Sequence, residues 1–193
     1  MQDFIHSRGE KLRKQIRRAC SLSLCLIGIV QSAFAHVVLA EPKAIAGAYY
    51  KATLRVGHGC NGSATQALVV QVPAGFQGAK PQPKAGWRVA TRKAKLAQSY
   101  NSHGKTVTDD VVELRWTATG PEAALPDDQF DEFAFMGRLP DQAGPLWVKM
   151  LQTCEKGQND WSEIPTQGTA TRGLKSPAAL LDVQPAPVHE HHH

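Results

Sequence analysis

Short β-type runs, separated by turn-forming residues, occupy most of the chain from residue 37 to residue 164. In Tyr49–Val56, for example, apolar side chains at positions 50, 52, 54 and 56 alternate with more polar ones. Runs of this kind, broken by Gly, Pro, Asn and Asp, are typical of an antiparallel β-sandwich, and no long stretch of this region shows helical periodicity. The sequence therefore predicts an all-β fold. The runs are residues 37–39, 49–56, 67–72, 87–90, 111–117, 130–137, 146–153 and 161–164.

The first 35 residues have the pattern of a secretory signal peptide. Six basic residues precede the apolar run 22–30, and Ala33 and Ala35 place small side chains at the −3 and −1 positions that the peptidase requires. The apolar run is too short for a spanning helix, which needs roughly 20 residues. We therefore expect cleavage between Ala35 and His36, and a periplasmic or secreted protein with no transmembrane segment after cleavage. An uncleaved membrane anchor is the alternative.

The charge balance gives no reason to expect a nucleic-acid partner. The signal segment holds six of the 22 Lys and Arg residues and two of the 17 Asp and Glu residues, which leaves 16 and 15 in the mature chain. The basic character of the whole chain is therefore mostly a feature of export. The roughly 158 residues that remain suit one domain with a sizeable core.

Two cysteines, Cys60 and Cys154, remain after the signal segment is removed. An even pair in an exported chain predicts a disulfide, because the periplasm and the cell exterior are oxidising. It would close a loop of about 95 residues and stabilise the fold by ~3–5 kcal/mol in the chain-entropy model. Two free or metal-binding thiols are the alternative.

The strand pattern stops at Pro165. The following residues are polar, then rich in Ala and Pro, and the chain ends with histidines at positions 189 and 191–193. This composition predicts a flexible tail, whose histidines belong either to a purification tag or to a native metal-capturing segment. The chain thus divides into a signal peptide (1–35), a β-sandwich domain (36–165) and a tail (166–193).

Cleavage after Ala35 would create a chelating N-terminus. The free α-amine of His36 and its imidazole Nδ1 can close a six-membered ring around one metal ion, whereas an internal histidine lacks the amine. Cu(II) has the highest affinity among the divalent ions for such nitrogen donors and favours tetragonal geometry. Two nitrogens fill only half of a square plane, so water, a carboxylate or a backbone carbonyl must supply the rest.

The chain resembles the YcnI family of exported copper-binding domains in four segments that occur in order within residues 36–165: HVVLAEPKAIAGAYYKATLRVGHGCNGSAT, KPQPKAGWRV, LPDDQFDEFAFMG and CEKGQNDWSEIP. The resemblance implies a cupredoxin-like or immunoglobulin-like β-sandwich. It also implies one Cu(II) held by a single-histidine brace at the mature N-terminus, assisted by a carboxylate and a nearby tryptophan. Family members are associated with copper-handling proteins such as CopC/CopD-type transporters, which are the partners expected here.

Two residues match the copper site of the family. His36 matches the brace histidine, and Trp161 matches the tryptophan beside the copper. The carboxylate does not carry over, because Tyr50 stands where the family pattern has Glu. Either Tyr50 or another acid substitutes, the candidate acids being Glu41, Asp131 and Glu132, or the site is more open here.

A spacing argument predicts that His58 and His36 lie far apart. If residues 49–60 paired with residues 154–161, Trp161 would fall opposite about residue 53, and His36 would lie near Tyr50. His58 would then be roughly 25 Å from position 50 at ~3.3 Å per residue. We therefore expect His58 to be a turn histidine satisfied by the backbone and His103 to be solvated. Trp161 as an ordinary core aromatic residue is the alternative to its role beside copper.

Motifs for catalysis are scarce in the sequence. It has no GxSxG or CxxC pattern, and the acid pairs 127–128 and 131–132 are typical of solvated charge. The leading hypothesis is an exported, non-enzymatic Cu(II)-binding protein that acts in copper acquisition, delivery or detoxification. One alternative is a copper-dependent oxidase or oxygenase, which would need a second equatorial histidine. The other is a metal-free interaction sandwich.

Overall fold

A computed structural model describes residues 36–187, and their regular secondary structure is almost entirely β-strand. One 3-10 turn, Pro121–Ala123, interrupts them. The predicted signal peptide and the histidines of the tail lie outside the described residues. The strands are β1 (Val38–Leu39), β2 (Lys43–Ile45), β3 (Tyr49–Val56), β4 (Thr65–Gln71), β5 (Gln77–Pro81), β6 (Trp87–Ser102), β7 (Lys105–Ala118), β8 (Asp131–Arg138), β9 (Gly144–Cys154), β10 (Gln158–Trp161) and β11 (Ala179–Gln184).

The strands form two sheets, as a β-sandwich requires. One sheet has the order β1-β3-β8-β5, and the other has the order β2-β11-β9-β4-β7-β6, with β10 paired to β9. All pairings between these strands are antiparallel except that of β2 with β11, which is parallel. The predicted all-β sandwich is therefore confirmed.

Strand β3 shows how the sequence pattern produces the sandwich. Its side chains at positions 50, 52, 54 and 56 are buried, and those between them are exposed or half-buried. Antiparallel pairing with β8 sets Leu54 opposite Phe133, so that both face the core. This alternation is the expected pattern for a strand with one face on a core and the other in water.

The core fills the space between the two sheets. At its centre, Phe133 packs edge-on against Trp87 and Trp116, with ring centroids 4.9 and 5.9 Å apart. Fully burying one such aliphatic or aromatic side chain contributes about 1.5–3 kcal/mol. The largest wholly buried apolar side chains are Trp116, Phe133, Phe135, Leu54, Leu68, Leu114, Leu139, Met150, Leu181, Val56 and Val70.

The predicted disulfide is present. Cys60 and Cys154 are bonded at a Cα–Cα distance of 5.9 Å across a sequence separation of 94 residues. Cys60 lies shortly after β3, and Cys154 ends β9 where the chain turns into β10. The bond therefore ties the end of β3 in one sheet to the β9–β10 hairpin of the other.

The prediction of a flexible tail from residue 166 was wrong for residues 179–184. These residues form β11, which pairs with β9 on one side and β2 on the other and buries Ala179, Leu181 and Val183. The alternation in Ala-Leu-Leu-Asp-Val is the signal for this strand, and the neighbouring Ala and Pro residues obscured it. The domain therefore extends well beyond the predicted boundary at residue 165.

Other differences concern the limits of the strands. The last predicted run, 161–164, is shifted, because β10 ends at Trp161. Strand β6 continues to Ser102, far beyond the predicted end at residue 90, because most of its side chains face water and give no apolar signal. It turns back into β7 through His103 and Gly104, which have φ values of 48° and 74° and suit a tight hairpin turn. His103 is exposed there, as expected.

No helix within residues 36–187 is long and apolar enough to cross a membrane.

Candidate metal centre

Two histidine rings contact one tryptophan at an end of the sandwich. The imidazole of His36 lies 6.0 Å from the ring of Trp161, centroid to centroid, at an interplanar angle of 66°. The imidazole of His58 lies at the same distance from Trp161, at 72°. The two imidazoles are therefore no more than about 12 Å apart. We refer to His36, His58 and Trp161 as the histidine–tryptophan cluster.

The register of β1 brings His36 to this cluster. Val38 pairs with Arg55 and Leu39 with Leu54 in antiparallel fashion. Because residue numbers fall along one strand as they rise along the other, His36 reaches the level of residue 57. The register is fixed by the core, since Val37 and Leu39 must be buried on the same face as Leu54. His36 therefore lies next to the segment that carries His58.

The β9–β10 hairpin brings Trp161 to the same place. Strands β9 and β10 are joined by a short turn at residues 155–157, and Trp161 pairs with Met150. The disulfide fixes the turn end of this hairpin to Cys60, two residues after His58. Trp161 is 3% exposed, so its indole is buried between the hairpin and the histidines.

The spacing argument that separated His36 from His58 was wrong in its strand pairing. Residues 49–56 pair with β1 and β8, and β10 pairs with β9. The short turn makes β9 the nearest partner of β10, because strands joined by a tight turn usually pair with each other. The argument also placed the start of β1 beside Tyr50, whereas antiparallel pairing places it at the opposite end of β3.

A buried glutamine holds the cluster together. The side chain of Gln152 is wholly buried, and its Oε1 accepts a hydrogen bond of 2.9 Å from Trp161 Nε1. Its Nε2 donates to the main-chain oxygen of His58 and to Thr65 Oγ1, at 2.7 Å each. Asn159 Nδ2 donates to Gln152 Oε1 at 3.3 Å. One side chain thus fixes both the indole of Trp161 and the backbone of His58.

Gln152 was not among the predicted site residues, although the sequence pattern contains a signal for it. On the alternating strand β9, position 152 falls on the same inward face as Val148 and Met150. A polar side chain at an inward position must find hydrogen-bond partners, because burying it without them is costly. An inward glutamine between apolar neighbours therefore indicates a polar network.

The loop that carries His58 is fixed on several sides. His58 Nδ1 lies 2.5 Å from the oxygen of Gly59, and the Gly59 N–H donates to Asp127 Oδ1 at 2.9 Å. A Cβ at position 59 would lie 1.8 Å from the main-chain oxygen of Ser63, so only glycine fits there. The expected backbone contact of His58 is present, but its ring faces Trp161 as well.

Tyr50 and Glu41 lie together, away from the cluster. The hydroxyl of Tyr50 donates to the main-chain oxygen of Glu41 at 2.6 Å. Position 50 is seven residues along β3 from the level of His36, or roughly 23 Å. Burial, followed by the nearby Glu41 carboxylate, raises the pKa of Tyr50 to about 12, so its phenol keeps its proton at neutral pH. The structure therefore does not bring either residue to His36 as a neighbour.

The other two candidate acids are engaged in ion pairs. Asp131 pairs with Lys84 at 2.6 Å, and Glu132 pairs with Arg55 at 2.8 Å. Both acids lie on β8, which is separated from β1 by β3. Glu132 lies opposite Arg55 on the outer surface of the smaller sheet, whereas Asp131 lies at the start of β8, opposite Val56.

The donor atoms at the cluster are nitrogens. Within residues 36–187, no group of three or more His, Cys, Asp and Glu side chains is placed to hold a metal ion. The cluster itself offers two imidazoles, to which processing before His36 would add one amine. A groove of about 930 Å³, lined by Phe76, Tyr100 and Pro140, lies elsewhere and includes no residue of the cluster.

Comparison with known proteins places the chain in a family. Residues 36–183 match the model of a domain of unknown function, DUF1775, which is the domain family of YcnI-like proteins. No curated protein is significantly similar to the chain. A solved structure of an uncharacterized protein from Nocardia farcinica, described as an immunoglobulin-like fold, is 23% identical and has a TM-score of 0.59. The similarity covers 77% of this chain and 97% of that one. This likeness supports the immunoglobulin-like sandwich, and the family match shows that the chain belongs to the DUF1775 family.

Proposed function

We propose that this chain is an exported Cu(II)-binding protein of copper homeostasis, with the metal held by the amine and the imidazole of a mature N-terminal His36. The observation that carries the proposal is the packing of the His36 ring against Trp161, at 6.0 Å. A chelating N-terminus on a mobile segment would sample many positions. Here strand β1 and the buried indole hold the imidazole at one place on the domain.

The donor set fits Cu(II) better than the other common divalent ions. Nitrogen donors without thiolates favour Cu(II), which stands highest in the affinity order for such sites. The cysteines of the mature chain are joined in a disulfide and are not available as ligands. Two of the candidate carboxylates, Asp131 and Glu132, are engaged in ion pairs. Bound copper would act here as cargo that can exchange its remaining ligands.

Two further observations support an extracytoplasmic location. The first 35 residues have the signal-peptide pattern, and the match to the DUF1775 model begins at His36, the residue after the predicted cleavage site. The disulfide between Cys60 and Cys154 suits an oxidising compartment. We propose a periplasmic or secreted protein that exchanges copper with copper-handling proteins, such as a CopC/CopD-type transport system, as the resemblance to the YcnI family suggests.

The experiment is a Cu(II) titration of the processed protein in competition with a chelator of known affinity. Intact mass of the exported chain should first show that it begins at His36. The tail histidines at positions 189 and 191–193 are replaced by Ala, because they could bind copper independently. We expect one tight site per chain. His36→Ala removes the imidazole, and a Gly inserted before His36 displaces the amine, so each should weaken binding at least 100-fold. Equal affinity with Ala at position 36 would refute the proposal.

Fluorescence provides a second readout at the same site. Cu(II) at His36 should quench Trp161, whereas Trp87 and Trp116 lie in the core near Phe133 and should respond less. Trp161→Phe should therefore remove most of the quenching. The indole face can also favour a nearby cation by ~0.5–2 kcal/mol. Unchanged quenching in Trp161→Phe would show that copper binds at another position.

A copper-dependent oxidase or oxygenase is the second candidate, and one observation favours it. Such an enzyme needs a second equatorial histidine, and His58 lies against the same indole as His36. Ascorbate-driven consumption of oxygen and formation of peroxide by the copper-loaded protein would support this candidate. A copper-loaded protein that gives no more peroxide than the His36→Ala variant would support carriage without catalysis.

A further inference from the structure

His58 is the second imidazole at Trp161, and its chemical state follows from its contacts. Its Nδ1 lies 2.5 Å from the main-chain oxygen of Gly59. A carbonyl oxygen can only accept a hydrogen bond, so Nδ1 must carry the proton. In a neutral imidazole this leaves the lone pair on Nε2. A ring nitrogen with a free lone pair, in a ring oriented by a hydrogen bond from its other nitrogen, is the usual form of a metal-binding histidine.

The position of His58 is fixed before any ligand arrives. Gln152 Nε2 binds its main-chain oxygen at 2.7 Å, and the disulfide at Cys60 anchors the chain two residues later. The adjacent Gly59 N–H is bound by Asp127 Oδ1 at 2.9 Å. Half-burial of His58 leaves part of its ring accessible. A rigid, partly accessible imidazole costs little entropy when it binds a metal.

The same glutamine relates His58 to His36. Gln152 Oε1 fixes the indole of Trp161 at 2.9 Å, and both imidazoles lie 6.0 Å from that indole. Two imidazoles on opposite sides of one metal, at bond lengths of about 2 Å, have ring centres roughly 6 Å apart. The two contacts to Trp161 permit this separation.

We propose that His58 Nε2 is a ligand of the copper ion bound by His36, which makes the site a three-nitrogen centre with two imidazoles and one amine. This inference rests on the proposed function of His36 as a Cu(II) chelator. It also accounts for the missing carboxylate, because Tyr50 lies far along β3 with the main chain of Glu41 beside it, and Asp131 is paired with Lys84. His58 supplies the additional copper ligand that the family pattern assigns to a carboxylate.

The test counts the imidazoles bound to copper. The processed protein, with its four tail histidines replaced by Ala, is loaded with one equivalent of Cu(II) and studied by electron paramagnetic resonance with electron spin-echo modulation. The modulation from the remote imidazole nitrogens should show two coordinated rings in the parent protein. His58→Ala and His58→Gln should each reduce this count to one and raise the Kd at least tenfold. His103→Ala, in the exposed β6–β7 turn, is the matched control and should change neither quantity.

The outcomes separate this inference from the proposed function. One imidazole in the parent protein, with Kd changed less than twofold by His58→Ala, would overturn the role of His58 and leave the His36 site intact. Unchanged binding in His36→Ala would overturn the proposed function itself.

A readout without metal is also available, because long-range nitrogen–proton NMR of the apoprotein should show His58 protonated at Nδ1. Protonation at Nε2 in the neutral ring would contradict the inference.

Discussion

Gln152 is the residue whose replacement tests the architecture of the site most directly. Its side chain is wholly buried and bonds to Trp161 Nε1, to the oxygen of His58 and to Thr65 Oγ1. Gln152→Leu keeps a similar volume but leaves these three groups without their partner. Each unsatisfied buried group costs about 1–3 kcal/mol, and the buried leucine offsets roughly 2 kcal/mol of the total. With a central cost of about 2 kcal/mol for each of the three groups, we expect a loss of about 4 kcal/mol of unfolding free energy.

The measurement is guanidinium chloride unfolding of the metal-free, disulfide-intact protein. For a domain of this size, a slope of about 4 kcal/mol per molar guanidinium converts a loss of about 4 kcal/mol into a midpoint lower by about 1 M. The near-ultraviolet circular dichroism of Trp161 should change as well, because its hydrogen bond to Gln152 is lost.

The control variant is Leu139→Ala. Leu139 is also wholly buried, but its N–H binds the oxygen of Ala48, near the start of β3 and away from the cluster. Truncation of a buried leucine costs about 2–5 kcal/mol, so the two variants should lose similar stability. Only Gln152→Leu should weaken copper binding. The reasoning fails if Gln152→Leu is within 1 kcal/mol of the parent protein, or if both variants weaken copper binding equally.

Two further predictions concern stability. Replacing Cys60 and Cys154 together by Ala should lower the unfolding free energy by ~3–5 kcal/mol, given the 94-residue separation, and a urea unfolding midpoint equal to that of the parent protein would contradict this. Burial, and then the Glu41 carboxylate, raises the pKa of Tyr50 to about 12 from its ordinary value of 10.0. The stabilisation by the protonated phenol is therefore complete below pH 10 and is lost as pH rises through 12. Tyr50→Phe should therefore make stability fall less steeply between pH 10 and 12, and equal slopes for the two proteins would show that Tyr50 is not the group responsible.

Local pattern was sufficient to predict most of the fold. Strand β3 has one buried face and one more exposed face, and its side chains alternate accordingly. Strand β4 is buried on both faces, which explains its continuous apolar run. The signal was lost where a strand lacks such a contrast. The outer part of β6 is exposed on both faces, and β11 follows a long irregular segment rich in polar residues.

The site could be predicted only in part, because it depends on pairings between distant strands. The sequence identified His36 and Trp161 separately and could not give the register of β1 on β3, which brings His36 to residue 57. Placing His36 at the wrong end of β3 predicted a separation of roughly 25 Å between His58 and position 50, whereas both imidazoles lie beside Trp161. Residues that act through such pairings, including Gln152, become visible only when the sheets are assembled.

The two hypotheses for Trp161, a core aromatic residue or a neighbour of the metal site, do not exclude each other. Its indole is 3% exposed and belongs to the hydrophobic core, yet its ring contacts both His36 and His58. Burial is what makes it useful at the site, because a side chain fixed by packing and by a hydrogen bond to Gln152 can hold two imidazoles at defined distances. A surface tryptophan would give the same contacts only part of the time. We infer that the stability of this end of the sandwich and the geometry of the site depend on the same interactions.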